Sequence, residues 1–222
     1  MVIQNPEVSK ALDYVWIVNI VDRSGSMRGI HTDMQGAIEQ FLDGQAEQPG
    51  RCTIGLAQFD DKYEVVYSGV NILKRPDYVL VPRGGTALLD AIGNTITNTE
   101  EQYLKLPSSE RPDKVFFVIT TDGYENSSKE WTKKKIADLI NDIEKNFGWQ
   151  VIYLGANQDA IQEGDSFGVS KTSGITYVQT PFGISSVYSS LSSNISSVRA
   201  GNNFNVAFTD ADRETAVGKT SN

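Results

Sequence analysis

Sulfur and imidazole are nearly absent from this chain, whose 222 residues include one cysteine, Cys52, and one histidine, His31. A lone thiol closes no intramolecular disulfide, and one His with one Cys cannot supply the nitrogen and sulfur shell that zinc prefers. Cys52 lies in the apolar run RCTIGLAQF, where a small buried residue is expected and a reducing compartment fits. No stretch approaches the roughly 20 apolar residues that span a bilayer. The start MVIQNPEVSK lacks the basic head and apolar core of a secretory signal. Together these absences predict a cytoplasmic protein with no membrane partner. Basic residues are outnumbered, Lys+Arg 20 against Asp+Glu 28, for a formal net charge of -8. Such a chain repels phosphate backbones, so nucleic acid is not an expected partner. Catalytic signatures are also missing: there is no P-loop, no HExxH and no GxSxG.

What is present is an alternation of strand and helix patterns. YVWIVNIVD (Tyr14–Asp22) is a β-branched and aromatic run with little polar interruption, as in a strand covered on both faces. After a Gly/Ser turn, Ile30, Met34, Ala37, Ile38, Phe41 and Leu42 share a helical face. RCTIGLAQFDD and KYEVVYSGV then read as a hairpin joining a central strand to an edge strand. A second helix is expected from about Thr86, with Leu88, Leu89, Ile92 and Ile96 inward, and KVFFVITTDG is a second buried strand. Helix returns over residues 131–147, with Lys133, Lys134 and Lys135 as a solvated face, followed by the strand WQVIYLG, a polar helical stretch and GITYVQT. In PFGISSVYSSLSSNISSVRAG the residues Ile184, Val187, Leu191, Ile195 and Val198 keep helical spacing, with serine on the wet face. Pro181 suits the start of that helix and Gly201 its end. Phe204, Val206 and Phe208 alternate before the pattern is lost, so a short ordered piece followed by a frayed end is expected. Continuous apolar strands alternating with helices predict an α/β domain with a mostly parallel sheet and helices on both sides. Ligands of such sheets bind beyond the carboxyl ends of the strands.

Three loops at those ends carry oxygen. VDRSGSM places Asp22, Ser24 and Ser26 at alternate positions of a turn that Gly25 lets curl. PRGGT brings the Thr86 hydroxyl to a helix start, and TTDGYENSS brings Asp122 to the same edge. Two carboxylates and three hydroxyls then face one point without nitrogen or sulfur. That donor set suits Mg2+ or Mn2+ in an octahedron that keeps some water, and an open position would attract a partner's carboxylate. A lone DxSxS is an ordinary capping turn; the two further loops raise it to a metal site.

DRSGSM resembles the DxSxS motif of the von Willebrand factor A family, and Gly85-Thr86 and Thr121-Asp122-Gly123 resemble that family's second and third metal-site loops, in the same order. The resemblance implies a Rossmann-like, doubly wound, mostly parallel sheet with one antiparallel edge strand and helices on both faces. It places the domain at residues 13–201, between extensions at 1–12 and 202–222, the latter partly disordered. It also implies a metal-ion-dependent adhesion site in which Asp22, Ser24, Ser26, Thr86 and Asp122 hold the ion and a partner's Asp or Glu completes its shell. VDRSGSM, TDGYENSS and GANQDA are similar to standalone bacterial and bacteriophage members rather than to extracellular receptors.

The expected function is therefore non-enzymatic, metal-dependent protein binding, with a structural or assembly subunit as the alternative and a metal-assisted hydrolase behind it. Around the site, His31 reads as locally hydrogen-bonded or as a rim residue. Arg23 and Arg28 are either ordinary turn residues or selectors of acidic partners. Asp60, Asp61 and Glu125 are polar loop ends or outer acceptors, and Tyr124 and Trp131 are packing residues or partner anchors. Sequence specifies neither the partner nor the oligomeric state.

Overall fold

The computed structural model describes residues 10–156 and 159–219. Most of the expected 1–12 extension, Asn157 and Gln158 of GANQDA, and residues 220–222 lie outside the described residues. The elements, in order, are β1 (Tyr14–Asp22), α1 (His31–Ala46), β2 (Arg51–Phe59), β3 (Tyr63–Asn71), α2 (Leu88–Lys105), β4 (Lys114–Thr121), α3 (Lys133–Phe147), β5 (Gln150–Ala156), α4 (Ala160–Asp165), β6 (Gly174–Tyr177), α5 (Pro181–Arg199) and α6 (Asp210–Ala216).

Six strands form one sheet in the order β3-β2-β1-β4-β5-β6. Every neighbouring pair is parallel except β2 with β3, the hairpin at one edge. This is the expected doubly wound sheet, and the strand order reverses between β1 and β4. Alternate residues of each central strand feed opposite cores. Ile17, Val21, Phe116 and Leu154 pack with α1, α5 and α6, whereas Val18, Ile20, Phe117 and Tyr153 pack with α2, α3 and α4. Each large apolar side chain buried this way contributes about 1.5–3 kcal/mol. Burial on both faces explains why β1 and β4 read as unbroken apolar runs. No helix among the described residues is long and apolar enough to cross a membrane.

The helical faces follow the spacing. Ile184, Val187, Leu191, Ile195 and Val198 of α5 are all buried, Thr180 caps its start by accepting from Gly183 N, and Pro181 occupies the first turn. Gly201 follows its last turn with φ +77°. Two serines depart from the wet-face reading. Gln45 of α1 donates to Ser192 Oγ at 3.1 Å and to Ser196 Oγ at 3.1 Å, so this side of α5 is a polar seam against α1. Buried Arg199 closes that seam, donating to the carbonyls of Gln45 at 2.8 Å and Pro49 at 3.0 Å where α1 ends.

Beyond residue 201 the chain holds the short ordered piece and then a helix that the pattern did not foresee. Val206 and Phe208 are buried, and α6 follows with Ala216 buried against the rest. Apolar periodicity does not announce this helix because it is set by its start. Thr209 accepts from Asp212 N while the Asp212 carboxylate accepts from Thr209 N, a capping box with aspartate in the place usually taken by glutamate.

Candidate metal centre

Asp22 ends β1 and Thr121 ends β4, its parallel neighbour, so the two loops leave the sheet side by side. Asp22 is fully buried. Its Oδ2 accepts from Thr121 Oγ1 at 2.6 Å and its Oδ1 from Ser24 N at 2.6 Å. From there a chain of hydroxyls crosses to the second acid: Ser24 Oγ lies 2.9 Å from Ser26 Oγ, which donates to Asp122 Oδ1 at 2.6 Å. Gln179, between β6 and α5, donates to the other oxygen of Asp122 at 2.8 Å. Thr86 joins from a third loop. A methyl group on Gly123 would stand 3.3 Å from Thr86 Oγ1 and 3.6 Å from Ser26 Oγ, so both hydroxyls face the same glycine. The five residues singled out from the sequence are therefore brought together at the carboxyl edge of β1 and β4.

Electrostatics gives the cluster its character. Burial pushes the Asp22 carboxyl up to about 6, hydrogen bonds from Thr121 and Ser24 oppose the shift, and the neighbouring Asp122 charge adds to it. Burial raises Asp122 as well, against hydrogen bonds from Ser26 and Gln179. Among the described residues, the side chains hydrogen-bonded to these two acids are hydroxyls and an amide, none of them cationic. Among the described residues there is no cluster of three or more His, Cys, Asp or Glu placed to hold a metal. Two carboxylates disfavoured as anions, with neutral hydroxyls beside them, fit a hard divalent cation, which would reverse the cost of their ionisation.

The flanking residues sort themselves by contact. Arg23 is not a rim selector. Its side chain is buried and donates to Asp60 at 2.8 Å and to Glu64 at 2.6 Å, away from the acids. Asp60 is equally buried, and one of its carboxylate oxygens accepts from both Arg23 and Arg83. Glu125 caps α2, accepting from Leu89 N at 2.9 Å. Asp90 of that helix returns the favour, accepting from Trp131 N at 2.9 Å. Trp131 is a packing residue: its indole lies so close over Gly93 that any side chain there would overlap it. His31 takes the local role, with Nδ1 2.9 Å from the Arg28 carbonyl, and Arg28 and Tyr124 are exposed.

Sequence reading placed Thr121 in the third loop without giving it a role, and missed Asn126 and Gln179. Thr121 directly precedes Asp122, and its hydroxyl donates to Asp22 at 2.6 Å. Asn126 Oδ1 accepts from Thr86 N at 3.0 Å and so holds the Thr86 loop. Gln179 follows the last parallel strand, and the topology alone puts that end of β6 on the same edge as Asp22.

No family model and no curated protein matches the sequence. Solved structures do. The chain is similar to proximal thread matrix protein 1 from the mussel byssus, with its MIDAS motif occupied by zinc, at 14% identity and TM-score 0.60, over 85% of this chain and 47% of that one. It is similar to a von Willebrand factor type A protein of Catenulispora acidiphila at 16% identity and TM-score 0.55, over 85% of this chain and 46% of that one. It is also similar to the vWF domain of the type V pili tip protein Mfa5 of Porphyromonas gingivalis at 12% identity and TM-score 0.55, over 83% and 95%. The match thus spans about half the length of the mussel and Catenulispora proteins. With its sheet order, its antiparallel edge strand and these structural matches, the chain has the von Willebrand factor A fold.

Proposed function

We propose that this chain is a divalent-cation-dependent protein-binding domain in which Asp22, Ser24, Ser26, Thr86 and Asp122 hold Mg2+ or Mn2+, directly or through water. An Asp or Glu side chain of a protein partner completes the shell. The observation that carries this reading is the pair of acids, buried Asp22 and half-buried Asp122, linked through Ser24 and Ser26 and, among the described residues, hydrogen-bonded by no cationic side chain. The zinc-occupied motif of the mussel protein supports a divalent ion at the corresponding place. When bound, the ion would supply a positive centre for a ligand carboxylate. This chain's own residues set the rest: Thr121 and Ser24 fix the Asp22 carboxylate, Gln179 orients Asp122, and Asn126 anchors Thr86.

Binding rather than catalysis is the proposed role. The hydroxyls of Ser24 and Ser26 are committed to each other and to Asp122, and the one imidazole is tied to a backbone carbonyl. The buried, free thiol of Cys52 fits a reducing, cytoplasmic setting. Calorimetric titration with Mg2+ and Mn2+ tests the site: wild type takes one ion, and Asp22→Ala and Ser26→Ala lose most of the heat. No uptake by the wild type sinks the proposal. Partner capture that is equal in Mg2+ and in chelator removes the metal from the interaction. Phosphatase turnover that vanishes in Asp122→Ala would replace binding with catalysis.

A further inference from the structure

Thr86 reaches the site on a segment with no regular structure, residues 75–87. Such a segment has no ladder of its own to fix it, so its hold on the rest of the molecule decides where the Thr86 hydroxyl sits. Asn126 accepts from Thr86 N at 3.0 Å on one side of it, and on the other side three backbone anchors converge on two neighbouring points. Arg83 N donates to Arg23 O at 2.7 Å, Gly25 N donates to Gly84 O at 3.2 Å, and Ala87 N donates to Asp60 O at 2.8 Å. The side chains repeat the pattern: Asp60 Oδ2 receives Arg23 Nε at 2.8 Å and Arg83 Nε at 2.8 Å. Asp60 Oδ1 meanwhile accepts from Lys62 N at 2.8 Å, which fixes the carboxylate in the β2–β3 turn. Gly84 has φ +70°, and a side chain there would overlap the Asp61 carboxylate, so the loop lies directly on the hairpin.

We infer that Asp60 is a latch: through Arg23 and Arg83 it holds the Thr86 loop against the loop of Asp22, Ser24 and Ser26, and thereby sets the affinity of the site for a divalent cation. Asp60, Arg23 and Arg83 are positioning residues. The step to cation affinity rests on the proposed metal site; the latch itself does not. One buried carboxylate thus ties together the loop after β1, the β2–β3 turn and the segment before α2.

The sign of the effect separates positioning from charge. Arg83 is cationic, and its guanidinium opposes a second cation nearby, so removing it strengthens metal binding if charge alone acts. A latch predicts the reverse. The Arg83 side chain is 58% exposed, so its replacement leaves the two cores intact where Asp60→Ala would strand buried Arg23.

The test uses Arg83→Met, Arg83→Lys, Thr86→Ala and the double variant Arg83→Met/Thr86→Ala, with Mg2+ or Mn2+ alone as the probe. Arg83→Met should weaken binding roughly ten-fold, the scale seen when a residue supporting a ligand is lost. Arg83→Lys, which still reaches Asp60, should restore most of it. In the Thr86→Ala background the Arg83→Met loss should disappear, because both act through one hydroxyl. In chelator, hydrogen exchange at residues 85–87 should be several-fold faster in Arg83→Met than in wild type. Unchanged or tighter cation binding by Arg83→Met overturns the link to the metal, and unchanged exchange at residues 85–87 overturns the latch. A wild type that takes no cation defeats the proposed function instead, and the exchange comparison then decides the latch alone.

Discussion

At the scale of single residues, the sharpest consequence concerns Asp22. Its carboxyl is raised by burial from an ordinary 3.8 to about 6, so between those values the folded chain keeps a proton that the unfolded chain releases. Stability of the cation-free protein should therefore fall as pH rises from about 4 to about 6 and stay low above. The loss from this group is about 3 kcal/mol at pH 7.5. Asp22→Asn preserves the shape and removes the charge. In chelator at pH 7.5 it should be more stable than wild type by up to about 3 kcal/mol, and at pH 3.5 about equal to it. Urea unfolding at the two pH values reads this, and a variant less stable than wild type at pH 7.5 would contradict it. A packing residue gives the opposite kind of test. Gly93→Ala drives a methyl group into the Trp131 indole, and overpacking of this kind costs about 1–3 kcal/mol, visible as a lower urea midpoint. The acids and hydroxyls of the site were legible in sequence because Ser24, Ser26, Thr86 and Asp122 each sit beside a glycine and Asp22 ends an apolar strand. Arg23 was misread because its partners, Asp60 and Glu64, come from a hairpin more than thirty residues away. Local spacing carries no trace of such a pairing.

At the scale of elements, the strands and long helices were legible because burial on one or two faces writes a period into the sequence. β1, β4 and α5 show this, each buried along the expected residues. α6 was not legible: of its residues Ala216 alone is buried, and a capping box defines it. The seam between α1 and α5 likewise escaped notice, since its hydrogen bonds run between Gln45 and serines that read as solvated. Arg199 supplies a test of that seam. Its fork serves the carbonyls of Gln45 and Pro49 at the end of α1, and its burial lowers its pKa. Arg199→Met should destabilise by about 2 kcal/mol, and Arg199→Lys should recover less than half because an ammonium cannot reproduce the fork. Equal urea midpoints for Arg199→Lys and wild type would show that charge alone suffices.

At the scale of the whole molecule, the sheet gathers the proposed ligands from chain positions 22 to 122, with Gln179 donating to Asp122, so cation binding at the proposed site would be linked to global folding. A cation at 100 times its dissociation constant should add about 2.7 kcal/mol to the stability of the native state. For a chain of this size that corresponds to a melting temperature about 5–10 °C higher. The gain should be larger at pH 7.5 than at pH 5, where protons compete for Asp22. Differential scanning calorimetry with Mg2+ and with chelator at both pH values checks the size and the order; a gain independent of pH would mean the ion binds elsewhere. The overall net charge of -8 favours cations in a general way, so the gain in Asp22→Ala measures that background.

The position of β1 in the middle of the sheet has a consequence for synthesis. It precedes both of its neighbours, β2 and β4, in the chain, yet pairs with each along nearly its whole length. As the polypeptide leaves the ribosome, YVWIVNIVD emerges with neither flank available, and its second edge waits until residue 121 has been made. The nascent chain must carry an apolar, edge-exposed segment through that interval, which is when a holding chaperone would matter most. Asp122 joins the acid at its end later still, and Gln179, which donates to Asp122, comes last, so a cation at the proposed site would reward a fold already reached rather than guide its beginning.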